Sequence, residues 1–379
     1  MKEYRKKVLL VHPYPLHRGG IESFLLEWVR HAPLDKYEFT WYCLGEVLDY
    51  EMLEEIKPYV SAFIVRKKTG KIKKIKALYI DLLNIIKNNH FDIIHINSGN
   101  IYHQVVAIWV ADKCNVKMRI AHSHSCAQYK GIVKLCAKKL IQSYLSAEAT
   151  HCVACSTEAG MSLFGKKVLR SPKWKLVKNT IDTKRFSFDS KIRKEFRKKL
   201  NIKDTLLLGC VGNSDENKNH IFALYLIKKL RSEGIYNAML LLIGEDKLNG
   251  KLQREARILG IENAVCFLGS CNCVENWLQA FDIYLMPSKS EGLPISALEA
   301  QADGLPCILS DRISREIKFG NNVEFISTEN IDLWIDAVKR FYGMEYDREK
   351  ESQIVCQKGI DVSQIPKYIE SLYEIDNKK

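Results

Sequence analysis

Residues 280–300 constrain this chain more tightly than any other stretch. Ala280-Phe281-Asp282-Ile283-Tyr284-Leu285-Met286 is an apolar run short enough to be a buried strand. The loop Pro287-Ser288-Lys289-Ser290-Glu291-Gly292-Leu293 follows, and beyond Pro294 the residues Ile295, Leu298, Ala302 and Leu305 recur at roughly helical spacing. Pro294 suits the first helical position, whose N–H has no partner within the helix. The segment therefore reads strand, tight glycine-containing loop, helix. The free backbone N–H groups and dipole of that helix start form an anion site at the carboxyl end of a strand.

Two carboxylates frame this site, Glu291 in the loop and Glu299 more than a turn into the helix. They address different parts of a ligand lying across the helix start. A carboxylate accepts paired hydrogen bonds, which suits neighbouring sugar hydroxyls. Either Glu alone reads more readily as a dipole-favouring or solvated residue. The two in one frame are far more specific.

At 379 residues the chain is long enough for two domains with full cores. Hydrophobic content of 46% and charged content of 27% fit a soluble globular protein. The twelve cysteines show neither zinc-type pairing nor a small secreted framework, so they read as reduced thiols in a cytoplasmic protein. Cys152 with Cys155, and Cys271 with Cys273, read as buried or incidental pairs. No apolar run reaches the ~18–20 residues that span a bilayer, and Val8-Leu9-Leu10-Val11 is too short for a signal-peptide core. The net charge of +13 is unevenly placed: residues 1–181 hold an excess of 14 positive charges, and 182–379 are close to balance. That asymmetry points to an anionic partner for the first half.

In chain order, Val8–Val11 reads as the first strand, then Gly19-Gly20 turns into a helix carrying Phe24, Leu25, Trp28 and Val29. Strands are expected at 39–44, 62–65 and 90–97, and at Met118–Ser125, which ends in His122 and His124. Position at the strand tip favours His124 over His122 as a site residue. Two basic, helix-compatible stretches lie at 66–79, with Lys71, Lys73, Lys74 and Lys76, and at 129–146. Each reads as a solvated helix or as a surface resting on anionic lipid. A second domain opens with the strand Thr205–Val211 and the loop Gly212-Asn213-Ser214-Asp215-Glu216-Asn217-Lys218-Asn219-His220. Further strands are expected at 239–243 and 265–269, and helices at 190–200, 331–343 and 363–375. No D-x-D, zinc, haem or Walker pattern occurs, so no metal site is expected. No stacking-aromatic motif accompanies the basic half, so nucleic acid is not an expected partner.

Glu291-Gly292-Leu293-Pro294 followed by Glu299-Ala300 resembles the E-x7-E signature of retaining, nucleotide-sugar-dependent glycosyltransferases of family 4. Gln301, Gly304-Leu305-Pro306-Cys307 and Ser310-Asp311 are similar to the sequel in bacterial exopolysaccharide and capsule members. The resemblance implies the α/β GT-B fold, two Rossmann-like domains facing across a cleft. The linker Asn179-Thr180-Ile181-Asp182 resembles the family's N-G-I-D pattern. It sets an N-terminal acceptor-side domain at 1–181, a nucleotide-sugar domain at 182–360 and a final helix, 361–379, crossing back to the first. By the same resemblance Gly19 and Gly20 line the cleft, and His124 and Glu291 hold the donor sugar. Glu299 holds the ribose, while Lys218 and the helix-start amides at Gly292 and Leu293 hold the diphosphate. Asn213 stands where the family carries an arginine. The implied activity is transfer of a hexosyl or N-acetylhexosaminyl group to a glycan acceptor, lipid-linked in surface polysaccharide synthesis. The implied donor is a nucleotide diphosphate sugar, a UDP-sugar first, with no other cofactor. The implied location is cytoplasmic, peripheral on the inner face of the membrane. The alternative is a non-catalytic GT-B protein serving as partner subunit of another transferase.

Overall fold

Short apolar runs alternate with amphipathic segments along the whole chain, and each run becomes one strand of a parallel sheet. The computed structural model describes residues 4–66, 71–125 and 132–374. They divide into two units, one formed by the chain up to Thr180 and again from Val362, the other by Ile181–Asp361.

The first unit runs β1 (Lys6–His12), α1 (Gly20–Arg30), β2 (Tyr37–Leu44), α2 (Tyr50–Ile56), β3 (Ala62–Arg66), α3 (Lys71–Asn88), β4 (Ile93–Asn97), α4 (Ile101–Lys113), β5 (Met118–Ser123), α5 (Ile132–Glu148), β6 (His151–Ala154), α6 (Thr157–Phe164) and β7 (Trp174–Leu176). Its seven strands lie in the order β3-β2-β1-β4-β5-β6-β7, all parallel. Side chains alternate between faces along each strand. Leu9, Val11, Ile94, Ile96 and Ala121 therefore share one face and pack on Leu78 and Leu82 of α3, Ala107 and Ile108 of α4 and Leu145 of α5. In the register of β4 and β5, Asn97 lies opposite His122 and His95 opposite Ile120. Those side chains fall on the other face, against Phe24 and Trp28 of α1.

The second unit runs α7 (Ser190–Lys199), β8 (Leu207–Val211), α8 (His220–Ser232), β9 (Met239–Ile243), α9 (Lys251–Ile258), β10 (Val265–Gly269), α10 (Val274–Ala280), β11 (Ile283–Met286), α11 (Ile295–Ala302), β12 (Cys307–Ser310), β13 (Val323–Ile326), α12 (Ile331–Tyr342) and α13 (Arg348–Cys356). Its six parallel strands lie in the order β10-β9-β8-β11-β12-β13. α14 (Ile365–Tyr373) belongs to the first unit. It is amphipathic, buries Ile365, Ile369, Leu372 and Tyr373, and sets Glu370 3.1 Å from Lys36.

Two local differences from the sequence reading have clear causes. Pro294 is the residue before α11 rather than its first turn, extended at ψ 121°, and the helix begins at Ile295. The strand expected from Ala280 begins only at Ile283, because Ala280 ends α10 and Phe281 caps it. The Asp282 carboxylate accepts from the Leu207 N–H and pairs with Arg193 and Arg197.

In each sheet the chain reverses its direction of growth once, between β1 and β4 and between β8 and β11. Such switch points open a crevice at the carboxyl ends of the strands, where α/β sheets bind ligands. The Gly19 loop follows β1, the Gly212 loop follows β8, and the Glu291 loop follows β11.

Candidate active site

In the first unit six of the chain's ten histidines gather at this end of the sheet: His12, His17, His95, His103, His122 and His124. Glu22, in the first turn of α1 and only 3% exposed, sits 3.3 Å from His12 Nε2 and 3.0 Å from His17 Nδ1. Burial pushes its carboxyl up, but the charge and hydrogen bond of His12, with the charge of His17, outweigh burial and leave it below the ordinary range. A Cβ on Gly19 would lie 2.7 Å from Glu22 Oε2, so any other residue here would push this carboxylate aside. Gly20, the first residue of α1, meets nothing on its open side.

Beyond β4 and β5 the partners are hydroxyls, amides and imidazoles. Ser98 Oγ lies 2.8 Å from Tyr14 Oη and 3.2 Å from His103 Nδ1. Asn97 Nδ2 donates to the His95 carbonyl, which leaves Asn97 Oδ1 to accept from His124 Nε2 at 2.9 Å. His124 Nδ1 is then an acceptor. Burial holds His95 and His124 down at about 3, each helped by a neighbouring imidazole. Burial, then the charge of Lys74, holds His103 at about 4. At neutral pH these rings are uncharged hydrogen-bonding groups.

The second unit presents different chemistry. Gly212 and Gly244 end β8 and β9, and a Cβ on Gly244 would meet the Gly212 carbonyl at 2.2 Å, so the two loops touch backbone to backbone. Asn213 Oδ1 accepts from the Glu245 N–H at 3.0 Å. Asp215 Oδ1 accepts from the N–H groups of Asn217 and Lys218, folding the loop so that Lys218 turns inward. Lys218 Nζ lies 2.8 Å from Glu291 Oε1. Asn217 joins the same point, donating to the Ser290 carbonyl and to Glu291 Oε1. Gly292 and Leu293 are buried beneath this pair, at the approach to α11. Burial raises the Glu299 carboxyl to about 7; Arg185 pulls it down and Glu275 pushes it up.

The structure thus joins Lys218 to Glu291 directly, turns Asn213 away toward Glu245, and sets Glu299 further along α11. In the first unit, Gly19 and Gly20 open α1, whose Phe24 ring lies 4.9 Å from that of His124. Arg18 is engaged by Asp49 and Glu55 at 3.3 and 2.7 Å. Of the two basic stretches, residues 67–70 and 129–131, and the side chains of 71–73 and 132–137, lie outside the described residues. Sequence reasoning marked the 90–97 strand as ending in a polar tip, which is Asn97, but passed over Glu22, His12, His17, His103 and Asn217. An acidic residue in the first turn after Gly19-Gly20, and polar residues spaced by two on apolar strands, were the available signals.

Among the described residues no group of acidic, histidine or cysteine side chains is arranged to hold a metal ion. The ten described cysteines are free thiols. No described helix is long and apolar enough to cross a membrane.

Residues 192–374 match the family described as Glycosyl transferases group 1. A Bacillus subtilis protein named as the glycosyltransferase EpsF is 28% identical over 100% of this chain and 99% of its own. An Escherichia coli UDP-Gal:alpha-D-GlcNAc-diphosphoundecaprenol alpha-1,3-galactosyltransferase is 24% identical over 90% of this chain and 89% of its own. Among solved structures, Anabaena HepE in complex with UDP and glucose superimposes with a TM-score of 0.75 at 15% identity, over 98% of this chain and 100% of that one. Two parallel-sheet, Rossmann-like domains are the fold this chain shares with its GT-B glycosyltransferase neighbours of solved structure, and its residues 192–374 are similar to the glycosyl transferases of group 1.

Proposed function

We propose that the protein transfers a hexosyl or N-acetylhexosaminyl group from a nucleotide diphosphate sugar to a glycan acceptor, with retention of configuration. The observation that carries this reading is the contact of Lys218 with Glu291 at the mouth of α11, with Glu299 in the same helix. Negative charge develops on the diphosphate as the glycosidic bond breaks, and preorganised cations and helix-start amides stabilise it. Lys218 supplies the cation, and the N–H groups at Gly292 and Leu293, in the loop leading into α11, supply the amides. Glu291, freed from its lysine when phosphate arrives, accepts from sugar hydroxyls, and Glu299 accepts from the ribose. Gly19, Gly20 and His124 serve the sugar side through backbone approach and the free Nδ1 acceptor. Asn213 bridges its loop to Glu245 in place of a phosphate-gripping arginine. UDP is the first nucleotide to test, since HepE is described with UDP and the Escherichia coli relative is named for UDP-galactose.

That relative's named acceptor is a diphosphoundecaprenol-linked sugar, which supports a lipid-linked acceptor here too. The outer helices of the first unit fit an anionic bilayer. α3, α4 and α5 cover one face of the sheet, and exposed Lys74, Lys76, Lys113 and Lys139 accompany exposed Tyr102, Trp109 and Leu140. Each lysine near such a surface contributes about 1 kcal/mol, weakening with salt. The inner face of the membrane is therefore the proposed location, and surface polysaccharide the proposed product.

The test is a screen of nucleotide sugars for thermal stabilisation and for nucleotide release. A bound donor raises the melting temperature by mass action, and release of UDP marks turnover. Stabilisation without release, with acceptor present, would favour the partner-subunit reading. Flotation with anionic liposomes tests the surface: binding should fall with salt and in a Lys74→Glu, Lys76→Glu, Lys139→Glu variant. Indifference to both would remove the membrane from the proposal.

A further inference from the structure

A chain of buried polar contacts links the last helix of the first unit to the histidines at the strand ends. Tyr373, at the end of α14 and fully buried, lies 3.1 Å from Trp28 Nε1 and 2.8 Å from His95 Nδ1. His95 Nε2 lies 3.1 Å from His122 Nδ1. The His122 ring lies 4.1 Å from that of His124, at 33°.

Donor and acceptor roles along this chain follow from leaving the fewest buried hydrogens without a partner. An indole N–H only donates, so Trp28 gives its hydrogen to the Tyr373 oxygen. The Tyr373 O–H must itself be satisfied in a buried place, and His95 Nδ1 is the acceptor within reach. His95 therefore carries its proton on Nε2 and donates it to His122 Nδ1. His122 in turn carries its proton on Nε2, a buried atom with no hydrogen-bond partner among the described residues. One hydroxyl at the end of the chain sets the tautomers of two imidazoles, as a second group orients a working histidine in many sites.

We propose that Tyr373 is a positioning residue, which through His95 fixes the tautomer of His122, the ring against which His124 packs. The inference rests on the reading of His124 as a site residue. α14 then does more than cover α1: its docking dictates which nitrogens at the strand ends donate and which accept. Three further observations agree. The helix is tied independently at Lys6, whose ammonium donates to the Tyr373 carbonyl at 2.8 Å, so the ring is held in place from its backbone. Trp28, Tyr37 and Phe39 pack around the ring itself. Phe24 closes the other side of both His122 and His124.

The test replaces Tyr373 with Phe in the full chain, which keeps the packed ring and removes one hydroxyl. Imidazole nitrogen shifts of protein labelled with nitrogen-15 histidine report the tautomers directly. The expected result is that His95 and His122 leave the Nε2–H form and that the His124 resonances move. UDP release from UDP-glucose or UDP-galactose, whichever the parent accepts, should fall roughly tenfold with KM for the donor little changed. Trp28→Phe is the control for a purely structural role. It deletes a hydrogen bond and packing at the same oxygen, lowers the melting temperature, and should leave the tautomers as they were. Unchanged His95 and His122 shifts in Tyr373→Phe would overturn the proposal, as would the same shift change in Trp28→Phe. A parent that releases no UDP from either sugar, while Tyr373→Phe flips the tautomers, would leave the relay standing and count against the transferase reading alone.

Discussion

The strand-end sites of the two units share a geometry and oppose each other in chemistry. Each lies at a switch point of a parallel sheet, and each has glycine in the loop after its first central strand, at the start of α1 in the first unit and directly after β8 in the second. The first is lined by hydroxyls, by the neutral imidazoles of His95, His103 and His124, and by one carboxylate held by His12 and His17. The second sets an ammonium against a carboxylate beside a helix start. Net charge alone would assign them the other way round, because the surplus of positive charge belongs to residues 1–181. Of those charges, Lys74, Lys76, Lys113 and Lys139 stand exposed on outer helices, while burial keeps His95, His103 and His124 neutral at the strand ends. Net charge reports what a whole surface attracts, and burial decides what a site carries.

The largest test of this division is Lys218→Ala. If the second unit carries the anion-holding chemistry, turnover should fall about 10²- to 10³-fold. The melting temperature should barely move, since a partly exposed ion pair contributes no more than about 1 kcal/mol. His124→Ala should lower turnover yet leave UDP affinity within about twofold, because a neutral acceptor offers little to a diphosphate. Equal loss of UDP affinity in both variants, measured by calorimetry, would break the comparison.

Glu299→Ala should weaken UDP binding by about tenfold or more, the worth of hydrogen bonds to a charged acceptor. Unchanged affinity would remove Glu299 from the ribose. The same residue gives a pH signature with two opposed signs. Burial holds its carboxyl at about 7 against an ordinary 4.5, with Arg185 only partly offsetting the burial. A folded-state value above the unfolded one stabilises the protein fully below the unfolded value and loses that share as pH rises through 7. Ribose hydroxyls, by contrast, need the ionised form, so UDP affinity should rise by about tenfold between pH 6 and pH 8. Glu299→Gln should flatten that rise. A slope that survives the substitution would assign the titration to another group.

Much of the second site was legible because its residues are local in sequence. Glu291, Gly292, Leu293 and Glu299 fall within a single strand–loop–helix segment, and Lys218 lies in a glycine-led loop after an apolar run. The first site was legible only at its glycines and its strand tip. Glu22 reads as a surface acid until His12 and His17 close over it, and that closure depends on the path of the loop from β1 to α1. His95 and His122 sit on different strands, and only the register of β4 with β5 brings them within 3.1 Å. Tyr373 is further still, 278 residues from its partner His95. Helices at 348–356 and 50–56 escaped because their polar and apolar residues lack a clean period. Local chemistry can be read from a chain; chemistry assembled by register and by a returning helix cannot.

The smallest expected effect sharpens the comparison at Asn213. The family resemblance calls for arginine there, and the structure shows what asparagine does instead: its Oδ1 accepts from the Glu245 N–H at 3.0 Å, where the β8 and β9 loops meet. Asn213→Arg removes that acceptor. The Glu245 N–H is solvent-accessible and finds water, so the loss should be only about 0.5–1.5 kcal/mol, a fall of a few degrees in melting temperature. A guanidinium at this place would offer diphosphate a two-pronged donor. UDP affinity should therefore rise by a few-fold, more at low salt than at high, even as the free protein becomes slightly less stable. Lys247 is drawn to Glu245 at 2.5 Å, and Lys289 stands exposed 3.8 Å from Glu216. If affinity stays flat, one of these lysines already fills the role, and pairing Asn213→Arg with Lys289→Ala or with Lys247→Ala identifies it. A fall in affinity would instead make the asparagine carboxamide itself a contact. The second site would then be less of an anion holder than its lysine and helix start suggest, and closer in kind to the first.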